Sequence, residues 1–474
     1  MRGKSVVLLG IVCVGLSAAA EPFTVRGGDV ELGFRGGDCG SLRETASGRE
    51  LLREPSPWAS YVTVDGKAVW SSDVSRGADG SIVISFRDGT RLVERVEETT
   101  FGLEFSVKEF TAAGCRSVTL ACLRPACRSY VGGMANAASD DDSAVALRAF
   151  DYEGEMKASK DSLCVRVDGR FPVKGRRFAL IAGPRRGFVE KLREAVKASG
   201  LVYSEAGGPW SLGSRQTRQS YMFANMFGKS VDAWIDAAVR AGVSIVHLHS
   251  WHDTLGHYDV NPVKYPGGIA EMKSVADKVR AAGMNVSMHT LTACIDFRDS
   301  WVTPVAHSNL VATYAYTLAC PLTEDSAEVV VNEMPGPKHD VVMTYSSNGN
   351  AIEIDGEIVV YTGIRREKPY AFTGITRGAY KTNVRDHAAG ARAKYLQQRY
   401  FAFYPEVDSP LADELADRIA RVYNAIGADM IYLDGSEGMR DPYAIAKMGA
   451  KIAARLDGRR NPPRIEMSCS CLLY

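Results

Sequence analysis

Two carboxylates follow an apolar run near the end of the sequence. The run is Met430-Ile-Tyr-Leu433, and Asp434 and Glu437 come directly after it, with Gly435 in the turn between them. Four apolar residues that include a β-branched and an aromatic side chain predict a strand buried on both faces. Parallel α/β folds bind their ligands at the carboxyl ends of such strands. We therefore predict that Asp434 and Glu437 are catalytic; the alternative is that Asp434 caps the next helix or turns the chain.

Three other predicted strands also end in polar side chains. The candidates there are His247, His249, Trp251, His252 and Asp253 after the first strand, His289 on the second, and Glu466 on the fourth. If the strands are parallel, all of these side chains gather at one edge of the sheet. Paired carboxylates can divide acid and nucleophile or base roles between them, and aromatic side chains stack on sugar rings. The pattern predicts carbohydrate chemistry, with Glu466 as a third catalytic candidate and the histidines, Trp251 and Asp253 as substrate-binding residues.

Several of these residues have a second interpretation. His247 and His249 alternate along one strand, so they point to the same side and could form a hydrogen-bonded interior pair. His252 and Asp253 could pair with each other in a loop. The His-x-His pattern also fits a metal-dependent hydrolase. The sequence nevertheless lacks the other ligands of such a site, and we predict neither a metal nor a cofactor.

Helices and strands alternate around these candidate residues. Amphipathic patterns predict helices at 231–241, 269–282, 410–426 and 443–456, and the four candidate strands lie between or after them. Alternation of this kind predicts a parallel sheet. A (β/α) TIM-type barrel needs eight strands. Because only four are found, we expect a barrel that is incomplete at the C-terminus, as in a shortened product of a longer ancestor.

Two β-rich regions flank or interrupt this repeat. Short alternating runs separated by turn residues predict an antiparallel β-sandwich in the first part of the chain, and similar runs predict a β-rich insertion with a hairpin turn at Asp355-Gly356. The fold class is thus α+β and multidomain. The predicted domains are a signal peptide at 1–20, the β-sandwich at 21–207, the first part of the barrel at 208–325, the insertion at 326–396 and the rest of the barrel at 397–474.

The N-terminus predicts export. Arg2 and Lys4 precede an apolar stretch at 5–17, and three alanines at 18–20 supply a cleavage site; this is the pattern of a secretory signal peptide. The mature protein is then secreted or periplasmic and not attached to a membrane. The full chain has ten cysteines, and nine remain once Cys13 leaves with the signal. Such a compartment permits disulfides, but the pairing of these cysteines cannot be deduced.

Charge excludes one class of partner. The chain has 57 Lys and Arg against 56 Asp and Glu, so it has no basic field that would suggest nucleic acid. The predicted partner is a carbohydrate, and the oligomeric state cannot be read from the sequence.

The architecture and the Tyr432-Leu433-Asp434-Gly435 stretch resemble the α-galactosidase-like (clan D type) glycoside hydrolases. The resemblance implies a retaining glycosidase with a TIM-type barrel, in which Asp434 is the nucleophile. The family's general acid lies on a later strand than any found here, so Glu437 or Glu466 would take that role. The insertion, with Thr376-Arg-Gly and His387, is similar to a small β module of phage tail and baseplate proteins, and it implies no catalysis.

The function expected from the sequence is therefore an exported glycoside hydrolase that acts on a poly- or oligosaccharide. The alternatives are a metal-dependent hydrolase, a non-catalytic glycan-binding protein, or a truncated remnant.

Overall fold

The computed structural model describes residues 21–133, 135–203, 215, 218–337, 339, 344, 345, 347, 349–457 and 464–467. The predicted signal peptide and the predicted domain boundary at 207/208 lie outside these residues. The chain divides into two compact units, Met1–Ala195 and Val196–Tyr474. Both are rich in β-structure, and no helix among the described residues has the length and apolar character needed to cross a membrane.

The first unit consists of short strands followed by one helix, α1 (Phe188–Ser199). The strands are β1 (Phe23–Gly27), β2 (Val30–Arg35), β3 (Asp38–Glu44), β4 (Ser56–Pro57), β5 (Ser60–Val62), β6 (Ala68–Arg76), β7 (Ile82–Phe86), β8 (Arg91–Thr99), β9 (Gly102–Phe110), β10 (Ser117–Leu123), β11 (Tyr130–Gly132), β12 (Ala137–Ser139), β13 (Ser143–Ala149), β14 (Gly154–Ala158), β15 (Leu163–Asp168) and β16 (Arg177–Pro184).

Most of these strands belong to one large antiparallel sheet. Its twelve strands run in the order β11-β12-β13-β16-β9-β8-β7-β6-β5-β10-β15-β14, and β1 to β4 form a separate sheet of four. The large sheet curls until β13 packs against β14 and β15. The sequence predicts a β-sandwich. The structure has a twelve-stranded near-barrel sheet that the four-stranded sheet contacts through β1, β2 and β3, so the predicted sandwich is not confirmed. Alternating patterns specify which side of each strand is buried, but not which strands become neighbours.

A disulfide joins two neighbouring strands of this sheet. Cys122 on β10 is bonded to Cys164 on β15, and the two residues face each other in the register of the pair. Cys115 and Cys127 lie close to Cys122 in the sequence but are free thiols.

The core of the first unit contains a buried carboxyl group. Glu94 on β8 is fully buried, and its Oε2 accepts a hydrogen bond of 3.0 Å from the indole Nε1 of Trp58. Its other oxygen has no partner within the described residues. Burial raises the pKa of Glu94 from 4.5 to about 8, and the Trp58 bond offsets only part of that rise.

This carboxyl group predicts a pH dependence of stability. The unfolded chain releases the Glu94 proton near pH 4.5, whereas the folded unit keeps it until about pH 8. Unfolding therefore releases a proton in this interval, and stability falls as the pH rises through it, at up to about 1.4 kcal/mol per pH unit. Denaturant unfolding of Glu94→Gln should lack this fall. Glu98→Gln, which changes an exposed carboxylate on the same strand, should retain it; equal slopes in the two variants would contradict the assignment.

The second unit is organised around a parallel sheet. Its five strands, β17 (Tyr221–Ala224), β18 (Ile245–Leu248), β19 (Asn285–Leu291), β29 (Met430–Asp434) and β30 (Arg464–Met467), stand side by side in chain order. The helices are α2 (Val231–Arg240), α3 (Gly268–Ala281), α4 (Pro410–Ile426) and α5 (Pro442–Ala453). All four helices and all four strands predicted here are present within a few residues, and β17 is an additional strand.

One face of this sheet is covered by helices. Helix α4 buries Leu415, Ile419 and Tyr423, which lie on one side because they are spaced four residues apart. These side chains pack in one core with the strand residues Met288 and Leu433. The side chains that alternate with those strand residues point to the opposite face.

The insertion lies between β19 and α4. Its strands are β20 (Ile295–Asp296), β21 (Ala312–Thr317), β22 (Glu328–Val331), β23 (Ala351–Ile354), β24 (Glu357–Val360), β25 (Gly363–Arg365), β26 (Tyr370–Thr373), β27 (Arg392–Leu396) and β28 (Ala402–Phe403). They form sheets of order β21-β27-β23-β24, β22-β26-β25 and β20-β28. The antiparallel strands thus begin well before the predicted start at 326.

The predicted hairpin turn in the insertion is confirmed. Ile354 pairs with Glu357 across Asp355-Gly356, and both turn residues have positive φ (46° and 89°), as a two-residue turn of this kind requires. Next to it the fully buried carboxylate of Glu357 is bound by Arg377 at 2.7 and 2.8 Å and by His387 Nε2 at 3.0 Å. Burial acts to raise the pKa of Glu357, and these bonds outweigh it and lower the pKa.

Candidate functional site

The face of the parallel sheet opposite the helices carries most of the predicted site residues. The register places Phe223, His247 and Ser287 opposite one another on successive strands, and His289, Tyr432 and Glu466 do the same. Because side chains alternate along a strand, Asp434 lies on this face as well, two residues beyond Tyr432. We call this surface the histidine face; its members are Tyr221, Phe223, His247, His249, Ser287, His289, Tyr432, Asp434 and Glu466.

Asp434 is the last residue of β29. His289 Nε2 lies 3.4 Å from its Oδ2, and the backbone N–H of Gly435 donates to its Oδ1 at 2.9 Å. Gly435 has φ of +70°, a backbone conformation that favours glycine. The side chain of Asp434 is about one-third exposed (35%), and that of His289 is nearly buried. The arrangement orients a carboxylate that solvent, and therefore a ligand, can reach.

His247 sits below this carboxylate and is completely buried. Its ring stacks on Phe223 at 4.7 Å and meets Tyr221 and Tyr432 edge-on. Neither ring nitrogen has a hydrogen-bond partner within the described residues. Burial, followed by the nearby His289, lowers the pKa of His247 to about 4. The ring is therefore neutral at pH 7, and the predicted hydrogen-bonded pair with His249 is not formed.

His249 lies closer to the edge of the sheet. Its Nδ1 is 2.8 Å from the hydroxyl of Ser250, and its ring lies 4.8 Å from the ring of His289. Burial lowers the pKa of His249, as do His289 and Lys264, while the charge of Asp434 opposes them. His249, His289 and Asp434 therefore form a continuous polar group at the end of the strands.

Glu437 stands one short turn beyond Asp434. The phenol of Tyr400 donates to its Oε1 at 3.1 Å. Its Oε2 is buried and has no partner among the described residues.

Glu466 lies on the far side of Tyr432. The Tyr221 hydroxyl donates to its Oε1 at 3.1 Å. Burial raises the pKa of Tyr432 to about 12, and the charges of Asp434, Glu466 and Glu437 add to the rise.

The loop after β18 does not join this group as predicted. Trp251 is fully buried and its Nε1 donates to the backbone carbonyl of His289 at 2.8 Å, so it supports the strand and cannot contact a ligand. His252 contacts the rings of Trp251 and Tyr258, and burial lowers its pKa to about 4. Asp253 is exposed and accepts from Asn261 at 3.3 Å instead of pairing with His252.

Sequence reasoning missed the aromatic residues of the site. Tyr221 and Phe223 are each 41% exposed, and they lie on a strand that the sequence pattern did not reveal. Tyr432 was assigned only to a buried strand. The alternation of side chains along a strand was the usable signal, because a residue two positions before Asp434 must lie on the same face of the sheet.

No metal-ligating cluster is present among the described residues: no three His, Cys, Asp or Glu side chains there are arranged to hold an ion. The alternative of a metal-dependent hydrolase therefore has no preassembled ligand set on the described part of the histidine face.

Similarity of this chain to known proteins is found among solved structures. No protein-family model and no curated protein sequence matches the chain. Similar solved structures include the α-galactosidase TtGalA from Thermus thermophilus (14% identity, 77% of this chain and 65% of that chain, TM-score 0.31). Others are the GH36 α-galactosidase AgaA from Geobacillus stearothermophilus (9%, 94% and 72%, 0.42) and the α-N-acetylgalactosaminidase NagBb from Bifidobacterium bifidum (11%, 94% and 76%, 0.37). The chain thus spans less than two thirds of TtGalA. Its structural neighbours are glycoside hydrolases of low identity.

The buried imidazole of His247 predicts acid sensitivity. The unfolded chain binds the proton below about pH 6.5, and the folded protein does not until about pH 4. Stability present at neutral pH is therefore lost as the pH falls through this interval, by about 3 kcal/mol for a shift of this size.

The variant His247→Phe keeps a ring between its aromatic neighbours and removes the titration. Urea unfolding at pH 7.5 and pH 5 should show a smaller loss for the variant than for the wild type. Part of the loss should persist because His252 behaves in the same way. A variant that loses as much as the wild type would show that His247 is not responsible.

Proposed function

We propose that this protein is an exported glycosidase of the retaining type, with Asp434 as nucleophile and Glu437 as general acid and base. The observation that carries the proposal is the placement of two carboxylates at the end of β29, one held by His289 and the other keeping a buried oxygen without a partner. The exposed rings of Tyr221 and Phe223 beside them offer apolar surface that suits a sugar ring.

The proposed first step cleaves the glycosidic bond. An Asp434 oxygen bonds to the anomeric carbon while the bond to the leaving oxygen breaks, and Glu437 gives its proton to that oxygen. In the second step Glu437 takes a proton from water, the water oxygen bonds to the anomeric carbon, and the bond to Asp434 breaks. His289 and Gly435 orient Asp434 in both steps.

The proposal also covers the sugar that is released, the type of fold and the export of the protein. The sugar released is galactose or a related pyranose, as the names of the structural neighbours suggest. The five parallel strands, in chain order with helices on one face, support a (β/α) barrel type of fold. The Cys122–Cys164 disulfide supports export, together with the signal pattern of the sequence.

The nucleophile is tested with Asp434→Asn and Asp434→Gly. On p-nitrophenyl α-galactoside and a panel of other aryl glycosides, both variants should lose kcat by at least about a thousandfold, because an activated group acts as a unit with its partners. Azide should restore turnover to Asp434→Gly and yield a glycosyl azide of inverted configuration. Wild-type product of inverted configuration, read by NMR, would contradict the retaining mechanism.

The acid is tested by leaving-group dependence. Glu437→Gln should lower kcat about a hundredfold or more on a substrate whose leaving group needs protonation, and much less on a 2,4-dinitrophenyl glycoside, whose leaving group does not. Glu466→Gln is the matched comparison. If Glu466→Gln alone shows this dependence, then Glu466 is the acid. A folded wild-type protein that turns over no glycoside would contradict the proposed activity.

A further inference from the structure

An aromatic cluster in the insertion lies beside the carboxylates and has no part in the mechanism above. Tyr345, Tyr400 and Phe401, which we call the aromatic platform, are in mutual contact through Tyr345, whose ring lies 5.0 Å from Tyr400 and 5.7 Å from Phe401. Tyr345 is 60% exposed and Phe401 50%. Apolar rings grouped on a surface usually mark a binding site.

The backbone of the platform is strained. Arg399 and Ala402 exchange backbone hydrogen bonds of 3.1 and 3.0 Å across Tyr400 and Phe401, so these two residues are the centre of a tight hairpin turn. Both have positive φ, 56° and 54°. Turns of this type favour Asn-Gly, and bulky residues there are strained by about 1–3 kcal/mol each. Two aromatic residues therefore occupy positions where they oppose local stability, which indicates that their rings serve another purpose.

The turn at Tyr400 and Phe401 is hydrogen-bonded to Glu437, the residue proposed as the acid. The Tyr400 hydroxyl donates to Glu437 Oε1 at 3.1 Å, and Arg399 Nη1 donates to the backbone carbonyl of Glu437 at 3.2 Å. The Arg399 guanidinium also lies over the ring of Tyr400, 5.1 Å from its centroid. Gln397 donates to the carbonyl of Gly438 on the same turn. The platform is thus fixed one side chain away from Glu437.

We propose that the aromatic platform is a sugar subsite that binds the leaving-group unit of an oligosaccharide. This inference rests on the proposed function, because Glu437 protonates the oxygen between the two sugar units. The apolar C–H face of a pyranose packs on an aromatic ring, and the platform is held beside Glu437 by the hydrogen bond from Tyr400. The substrate class is therefore an oligosaccharide of two or more pyranose units, which this subsite distinguishes from a glycoside with a small leaving group.

The test uses Phe401→Asn. Asparagine tolerates positive φ, so the variant removes the ring while relieving the backbone, and its melting temperature should not fall. Activity is compared on raffinose and on α-galactosyl fluoride, whose leaving group has no ring. The ratio of the two kcat/KM values should drop about tenfold in Phe401→Asn, whereas Phe401→Tyr should keep it. Trp70→Asn removes an exposed aromatic of the first unit and should leave both activities unchanged.

Binding separates failure of the subsite from failure of the proposed function. Raffinose, maltotriose and cellotriose are titrated calorimetrically into Asp434→Asn with and without Phe401→Asn. Weaker binding on loss of the ring supports the subsite even if the wild type has no glycosidase activity. Three results would contradict the subsite. The first is an active enzyme whose ratio of kcat/KM values on raffinose and α-galactosyl fluoride does not change in Phe401→Asn. The others are absence of binding to all three sugars, and a change in oligomeric state as the sole effect of Phe401→Asn.

Discussion

The pairing of β19 with β29 is the constraint on which the second unit depends. Residues 292–429 separate these strands in the chain, and their register alone brings His289 beside Asp434. The pairing is locked at its start, where the backbone N–H of Val286 donates to Asp429 Oδ2 at 3.0 Å and that of Asp429 donates to the Val286 carbonyl at 2.8 Å. A slip of one residue would turn Asp434 towards the helices and destroy the site.

The insertion is tolerated because it supplies partners for its own buried carboxylate. Glu357 is fully buried, yet Arg377, His387 and backbone N–H groups saturate its oxygens. A buried charge without such partners would cost several kcal/mol. The segment between β19 and β29 therefore folds around its own charge network, and it adds a hairpin that reaches Glu437 without disturbing the parallel sheet.

Local patterns predicted local features well. Helix α4 is found at its predicted bounds, because its apolar spacing and the Pro410 and Gly427 signals at its ends agree. Asp434 lies at the end of a parallel strand, as expected. The roles of the site residues stay predictions, since no measurement tests them.

Features set by distant contacts were not predictable. Trp251 looked like a sugar-contacting residue in a loop, but it is buried because its indole reaches the carbonyl of His289 on another strand. Strand β17 has only four residues, YMFA, too few for periodicity to show. Glu94 sits in an alternating run that reads as half solvent-facing, and contacts from distant parts of the chain, such as the Trp58 indole, accompany its burial.

The position of the insertion also has a consequence for how the chain reaches its native state. The ribosome releases β17, β18 and β19 long before β29, so the third strand of the sheet must wait with one edge unpaired while residues 292–429 are made. Closing a loop of that length is entropically slow unless the intervening chain is already compact. The insertion has a hydrophobic core of its own. If this core forms first, the ends of β19 and β29 are closer together, and pairing of the two strands costs less entropy.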